Sequence, residues 1–134
     1  MGSIADFRVT VEPLEDACVI RATGELQAGA ASRLRSPLEA ARHDRVTTLL
    51  DLSGVSFIDS AGLRVLLEAA RATDLDEWAW FIVRPSDPVL RLVELSGTAP
   101  RLPLVESRRG ATRPVSPAAA ARFRRDRGRA ALRG

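Results

Sequence analysis

The chain contains no lysine; all 20 basic residues are arginine, set against 17 acidic residues, for a net charge of +3. That small excess conceals a division. Residues 1–106 carry 11 Arg against 16 Asp and Glu, whereas residues 107–134 carry 9 Arg against Asp126 alone. The high isoelectric point therefore describes the C-terminal segment, and does not by itself mark the body as a nucleic-acid-binding domain. There is one cysteine, so no intrachain disulfide forms, and Cys18 lies in an apolar run where a small core residue is expected. There is one histidine, His43, which leaves a Ser-His-Asp triad without support. No stretch approaches the roughly 20 apolar residues that cross a bilayer. The first residues lack the basic and apolar regions of a secretion signal, and Asp6 stands where a myristoylation signal has Ser or Thr. A phosphate-binding loop, a dinucleotide fingerprint and a metal-ligand cluster are all missing from the sequence, so no catalysis, cofactor or metal is expected. These absences point to the cytoplasm.

What is present fits one domain with one core, at 46% apolar residues over 134 positions. Phe7 to Val11 alternates as a half-buried strand does, and Ala17 to Ala22 follows after Pro13 and a Glu15-Asp16 turn, so the two should pair as a hairpin. Gly24-Glu25-Leu26-Gln27 is expected to leave the sheet and lead into a helix from about Ala28 to His43, interrupted or kinked at Pro37. Val46 to Leu52 reads as a third strand. A helix begins by Leu63, with Leu63, Leu66, Leu67 and Ala70 as its inward stripe. A fourth strand spans Trp78 to Val83. The next helix is expected to be capped by Asp87 and stopped at Gly97, with Val89, Leu92, Val93 and Leu95 inward. Leu102 to Val105 closes the order. The prediction is an α/β fold: a mixed sheet of about five strands with helices packed against it, spanning residues 1–106. Residues 107–134 form a basic tail whose composition favours a solvated segment over a weakly docked helix, since Phe123 and Leu132 are its large apolar residues.

The most informative stretch is Leu50-Asp51-Leu52-Ser53-Gly54-Val55-Ser56-Phe57-Ile58-Asp59-Ser60-Ala61-Gly62-Leu63. An apolar β-type run breaks at Asp59-Ser60-Ala61-Gly62 and a helical pattern follows. This sets the Ser60 hydroxyl at a helix N-terminus, where unpaired amides and the positive end of the dipole suit an anion. From the residues alone, Ser60 is a cap, a switch or a nucleophile. Asp59 is either a turn residue or a group that orients the serine or a partner's metal. Ser53 and Ser56 read as turn residues, and Asp51 as the close of the strand.

Together with Gly24-Glu25-Leu26 and Pro88-Val89-Leu90-Arg91-Leu92-Val93-Glu94-Leu95-Ser96-Gly97, that stretch resembles the STAS domain, and within it the bacterial anti-anti-sigma factors, also called anti-sigma factor antagonists. The resemblance covers residues 6–106. It implies a partner switch. The unphosphorylated protein binds an anti-sigma factor that is itself a serine kinase, and so releases a sigma factor. Phosphorylation of the serine matching Ser60 ends the binding, and a serine phosphatase restores it. Glu25, Gln27, Asp59, Ser60, Ala61, Gly62 and Leu63 would then form the partner face, with Gly62 allowing close approach and Leu63 half-exposed. The family commonly has aspartate where this chain has Gln27. An alternative within the same family is a non-signalling subunit of a transport or other multiprotein complex. Direct nucleic-acid binding by the tail is not expected, because its one aromatic residue offers little stacking.

Overall fold

The structure, a computed structural model, describes residues 6–108 and 111–114. Its order is β1 (Arg8–Pro13), β2 (Ala17–Leu26), α1 (Ala28–His43), β3 (Thr47–Ile58), α2 (Ser60–Asp76), β4 (Trp80–Val83), α3 (Asp87–Leu95), a short 3₁₀ turn (Ala99–Arg101), β5 (Leu104–Arg108) and β6 (Ala111–Pro114). The six strands lie side by side in chain order. β1 pairs antiparallel with β2, as the predicted hairpin requires. β2, β3, β4 and β5 are mutually parallel, and β6 returns antiparallel to β5. The sheet thus runs on past residue 106, where the sequence suggested its end, and residues 115–134 of the expected tail lie outside the described residues.

Each step from β2 to β5 moves in the same direction across the sheet and carries one helix. Parallel crossovers are right-handed, so three steps in one direction place all three helices on one face. The core agrees with that geometry. Ile20 and Ala22 of β2, Leu50 and Leu52 of β3, Trp80 and Ile82 of β4, and Leu104 of β5 form one cluster with Leu34 and Leu38 of α1, Val65 and Leu66 of α2, and Val89 and Val93 of α3. Alternate residues on the same strands, Leu49, Phe81, Val83 and Val105, gather with Ala79 into a second cluster on the opposite face. At the base of the core the Trp78 and Trp80 rings stack with centroids 5.6 Å apart, and Trp78 Nε1 donates to the Val46 carbonyl at 2.9 Å. Cys18 is a core residue beside Thr48, as its apolar surroundings suggest.

Several boundaries differ from the sequence reading. β2 does not end at Ala22 but continues through Gly24 and Glu25 to Leu26, with two register irregularities that keep Leu26 opposite Ile58. β3 likewise runs to Ile58, so Ser53 and Ser56 are strand residues rather than turn residues, and Asp51 lies within the strand. Pro37 sits inside α1 without dividing it. Ser86, not Asp87, is the N-cap position of α3. Gly97 does end α3, at φ +72°, a left-handed backbone that glycine adopts without strain.

Candidate functional site

β3 is the strand that positions the site. Beyond Asp51 it has no partner on the β4 side, because β4 stops at Val83 opposite Asp51, and it continues paired with β2 alone. It ends at Ile58, and α2 begins at Ser60. The join is one residue long and is closed by that residue. Asp59 Oδ1 accepts the amides of Ala61 at 3.0 Å and Gly62 at 3.1 Å, and its carbonyl accepts the amide of Leu63 at 3.0 Å. Asp59 is therefore the N-cap of α2, and a carboxylate at this end also meets the positive end of the helix dipole. Ser60 occupies the first helical position and is exposed. Its hydroxyl is not the group that closes the helix.

The neighbouring strand makes the same turn beside it. β2 ends at Leu26, whose carbonyl accepts the Asp59 amide at 3.3 Å, and α1 follows with Gln27 as its N-cap residue. The Gln27 carbonyl accepts the amides of Ala30 and Ala31 at 2.8 and 2.9 Å, but its side chain makes no capping bond. Two helix N-termini thus stand together at the C-terminal ends of adjacent parallel strands, and neither helix has an acidic residue in its first turn. Gly62 holds the two turns together. A Cβ there would lie 2.5 Å from the Leu26 carbonyl oxygen, 2.8 Å from Leu26 Cγ and 3.0 Å from Ile58 Cγ1.

Between the end of β3 and α3 lies an apolar groove of about 380 Å³ lined by Phe57, Ile58, Asp87, Pro88, Arg91, Leu92 and Leu95. Phe57 is 46% exposed and Leu95 is 80% exposed, the two largest apolar side chains bared at this end of the molecule. His43 lies at the far end of α1, about 24 Å along its axis from the turn at Gln27. Among the described residues no group of three or more potential metal ligands gathers, and no helix is long and apolar enough to cross a membrane.

A model of the STAS domain matches residues 8–111 of this chain. The chain belongs to the STAS domain family. An anti-sigma F factor antagonist from Lysinibacillus sphaericus is 32% identical over 84 residues, which are 61% of this chain and 72% of that protein. The fold is that of the solved antagonists. An anti-sigma factor antagonist from Mycobacterium paratuberculosis superposes with a TM-score of 0.65 at 24% identity, covering 78% of this chain and 89% of its own. The antagonist SpoIIAA superposes in its unphosphorylated form with a TM-score of 0.63 at 24% identity, covering 76% of this chain and 90% of its own. Its phosphorylated form gives 0.58 at 22% identity, with coverage of 78% and 93%.

In this STAS domain the residues expected at the partner face divide into two groups. Glu25, Gln27, Asp59, Ser60 and Ala61 meet at one end of the sheet with at least part of their surface open. Gly62 and Leu63 do not join them: Gly62 is buried against Leu26, and Leu63 is only 7% exposed in the core. The close approach that Gly62 allows is internal to the domain. Sequence reasoning missed Phe57 and Leu95. Leu95, expected to face inward, instead falls off the 89, 92, 93 stripe that packs on the core. For Phe57 there was no signal, since its strand was expected to have ended before it.

Away from the site, Asp51 is 4% exposed on the sheet face opposite the helices. Its Oδ1 accepts the Ser53 amide at 2.9 Å and the Ser53 hydroxyl at 2.7 Å, and its Oδ2 accepts Arg84 at 2.5 Å. Burial pushes its carboxyl up, but the bonds from Arg84 and Ser53 outweigh burial and hold it below the usual carboxylate range. Its role is structural.

Proposed function

We propose that this protein is an anti-sigma factor antagonist whose binding is switched by phosphorylation at Ser60. In the unphosphorylated state it binds an anti-sigma factor that is also a serine kinase, which frees a sigma factor. Phosphorylation by that kinase ends the complex, and a serine phosphatase restores it. The observation that carries this reading is the division of labour between Asp59 and Ser60. Asp59 caps α2, so the exposed hydroxyl one residue later is not needed to hold the fold.

The chemistry supports the switch. A phosphate adds roughly −1.5 to −2 charges at neutral pH. At the first position of α2 it sits on the exposed surface at the positive end of the helix dipole, and Asp59 already holds the cap, so the domain keeps its structure. A partner that had packed against a neutral hydroxyl meets a dianion it must desolvate. The open residues Glu25, Gln27, Asp59 and Ala61 surround Ser60, and the groove bearing Phe57 and Leu95 adds apolar area beside them. Charge ends the contact without unfolding either protein.

The test is incubation with candidate anti-sigma kinases and ATP, followed by mass spectrometry of the tryptic peptides and a binding measurement. The reading expects one phosphate at Ser60, retained binding by Ser60→Ala and lost binding by Ser60→Glu. Absence of modification with every kinase, together with unchanged binding by Ser60→Glu, overturns it.

A further inference from the structure

Among the described residues β1 is one edge of the sheet, and its side chains stand open. Arg8, Thr10, Glu12 and Pro13 are exposed, and Val11 is 53% exposed. The hairpin fixes which main-chain groups lie on that edge. The Leu14 amide donates to the Ala17 carbonyl at 2.8 Å, and the register continues with Pro13 opposite Cys18. Hydrogen-bonded pairs alternate along an antiparallel ladder, so Glu12, Thr10 and Arg8 are the residues that bond to β2. Val9 and Val11 turn their N–H and C=O groups away from β2, to the open edge. Phe7, two residues before Val9, has the same phase, and its carbonyl accepts the side chain of Arg33.

This edge is complementary to its own reverse. β1 opens Arg8-Val9-Thr10-Val11-Glu12. Set antiparallel against a second copy about a two-fold axis at Thr10, Arg8 stands opposite Glu12, Val9 opposite Val11, and Thr10 opposite itself. An axis at Val9 or at Val11 brings no opposite charges together. The axis at Thr10 also suits the main chain. Val9 and Val11 of the two copies become the hydrogen-bonded pairs, each exchanging both its bonds. The pairs share faces as well: Val9 packs toward the helix-side core, so Val9 and Val11 lie on that side and Arg8, Thr10 and Glu12 on the other. Glu12 Oε1 accepts Arg21 at 2.8 Å within the chain, and the Glu12 side chain remains 53% exposed to meet an arginine from outside. Pro13 has no N–H to donate, which bounds the ladder at that end.

We propose that two copies of this chain pair antiparallel through β1, centred on Thr10, and so join their sheets into one. The occupant of the edge is a second copy because the charge order and the hydrogen-bond phase both match the same strand reversed. The two-fold axis stands perpendicular to the sheet, which keeps the helices of both copies on one face. It also reverses the strand direction. The C-terminal ends of β2 and β3, with Ser60 beside them, therefore point opposite ways in the two copies, and the pairing covers neither. A contact of one short strand with one short strand is small, so the association is weak and depends on concentration. It stands whether or not Ser60 is a switch.

Sedimentation of the full chain tests this first. Its average mass is expected to rise from one chain toward two between about 10 μM and 1 mM. Glu12→Arg sets like charges opposite each other at both ends of the pairing and should weaken it about tenfold, as should Arg8→Glu. The two substitutions together restore opposite charges and should bring the association back to within about threefold of wild type. The register is read by cross-linking. Thr10 faces itself in a non-hydrogen-bonded pair with Cα atoms about 4.5 Å apart, within disulfide range. The two Glu12 residues are about 13 Å apart. Under mild oxidation Thr10→Cys should form a dimer linked through residue 10 at least tenfold faster than Glu12→Cys forms one. A single-chain mass at every concentration overturns the proposal. So does a dimer indifferent to Glu12→Arg, or one in which the two cysteine variants cross-link alike.

Discussion

The Asp59 carboxylate and the Gly62 amide, 3.1 Å apart, form the cap that starts α2 one residue before the exposed serine. Asp59→Ala should therefore lower stability by about 1 kcal/mol, the usual cost of losing a cap. For a domain of this size that is a fall of roughly 4–6 °C in Tm. Ser60→Ala should leave Tm within about 1 °C, since its hydroxyl closes nothing. Thermal denaturation followed by circular dichroism reads both, and the reverse ranking would return the cap to Ser60.

Gly62→Ala and Gly29→Ala should have opposite signs. At Gly62 the added methyl meets the Leu26 backbone carbonyl at 2.5 Å and must displace one helix start from the other, costing about 1–3 kcal/mol. At Gly29, in α1, a Cβ meets nothing within 4 Å, and the gain in helix propensity should stabilise by up to about 1 kcal/mol. Urea unfolding of the two variants makes the comparison within one host.

Gln27 occupies an N-cap with the extended backbone that a capping side chain needs, and makes no capping bond. Gln27→Asp should supply the missing acceptor and add a charge at the positive end of α1. A gain of about 0.5–1 kcal/mol is expected in the urea midpoint, reduced by added salt. An unchanged midpoint would mean that the α1 amides are already satisfied.

Asp51 makes stability depend on pH with a definite sign. Its folded carboxyl is held below the usual range, so the folded state binds its proton less tightly than the unfolded state does. The contribution is complete above the ordinary carboxylate pKa and fades as pH falls through the lower, folded value. Asp51→Asn should be less stable than wild type by about 1–3 kcal/mol near neutral pH. The gap should narrow below about pH 4. A gap that stays constant into strong acid would exclude the carboxylate as its source.

The parts of the fold that were legible in the sequence are those where local pattern and tertiary contact agree. α1 has the limits expected of it, 28–43, and the β1–β2 hairpin follows from alternation and a proline-bounded turn. The misread stretches share one cause, which is that backbone pairing extended a strand where its side chains did not call for it. From Ser53 to Phe57, β3 pairs with β2 only and exposes most of its side chains, so glycine and serine there look like a turn. β6 is Ala111-Thr112-Arg113-Pro114, with no apolar alternation, and it exists by pairing with the edge of β5. The candidate serine itself was plain from its motif, but which residue capped the helix was not. Asp and Ser are comparable caps, and only the geometry of the turn separates them.

The continuation of β3 beside β2 as far as Ile58 bears on how a modifying enzyme would meet Ser60. Many phosphorylation targets lie in loose segments that an enzyme draws out along a groove and reads as a string of side chains. This serine is fixed on the first turn of a capped helix, and the residues around it come from β2, α1 and the end of β3. On the switch reading, what the kinase recognises is a folded surface, not a linear motif. A synthetic peptide covering residues 54–66 would carry every neighbour in sequence and none of the shape. It should be a poor substrate beside the intact domain.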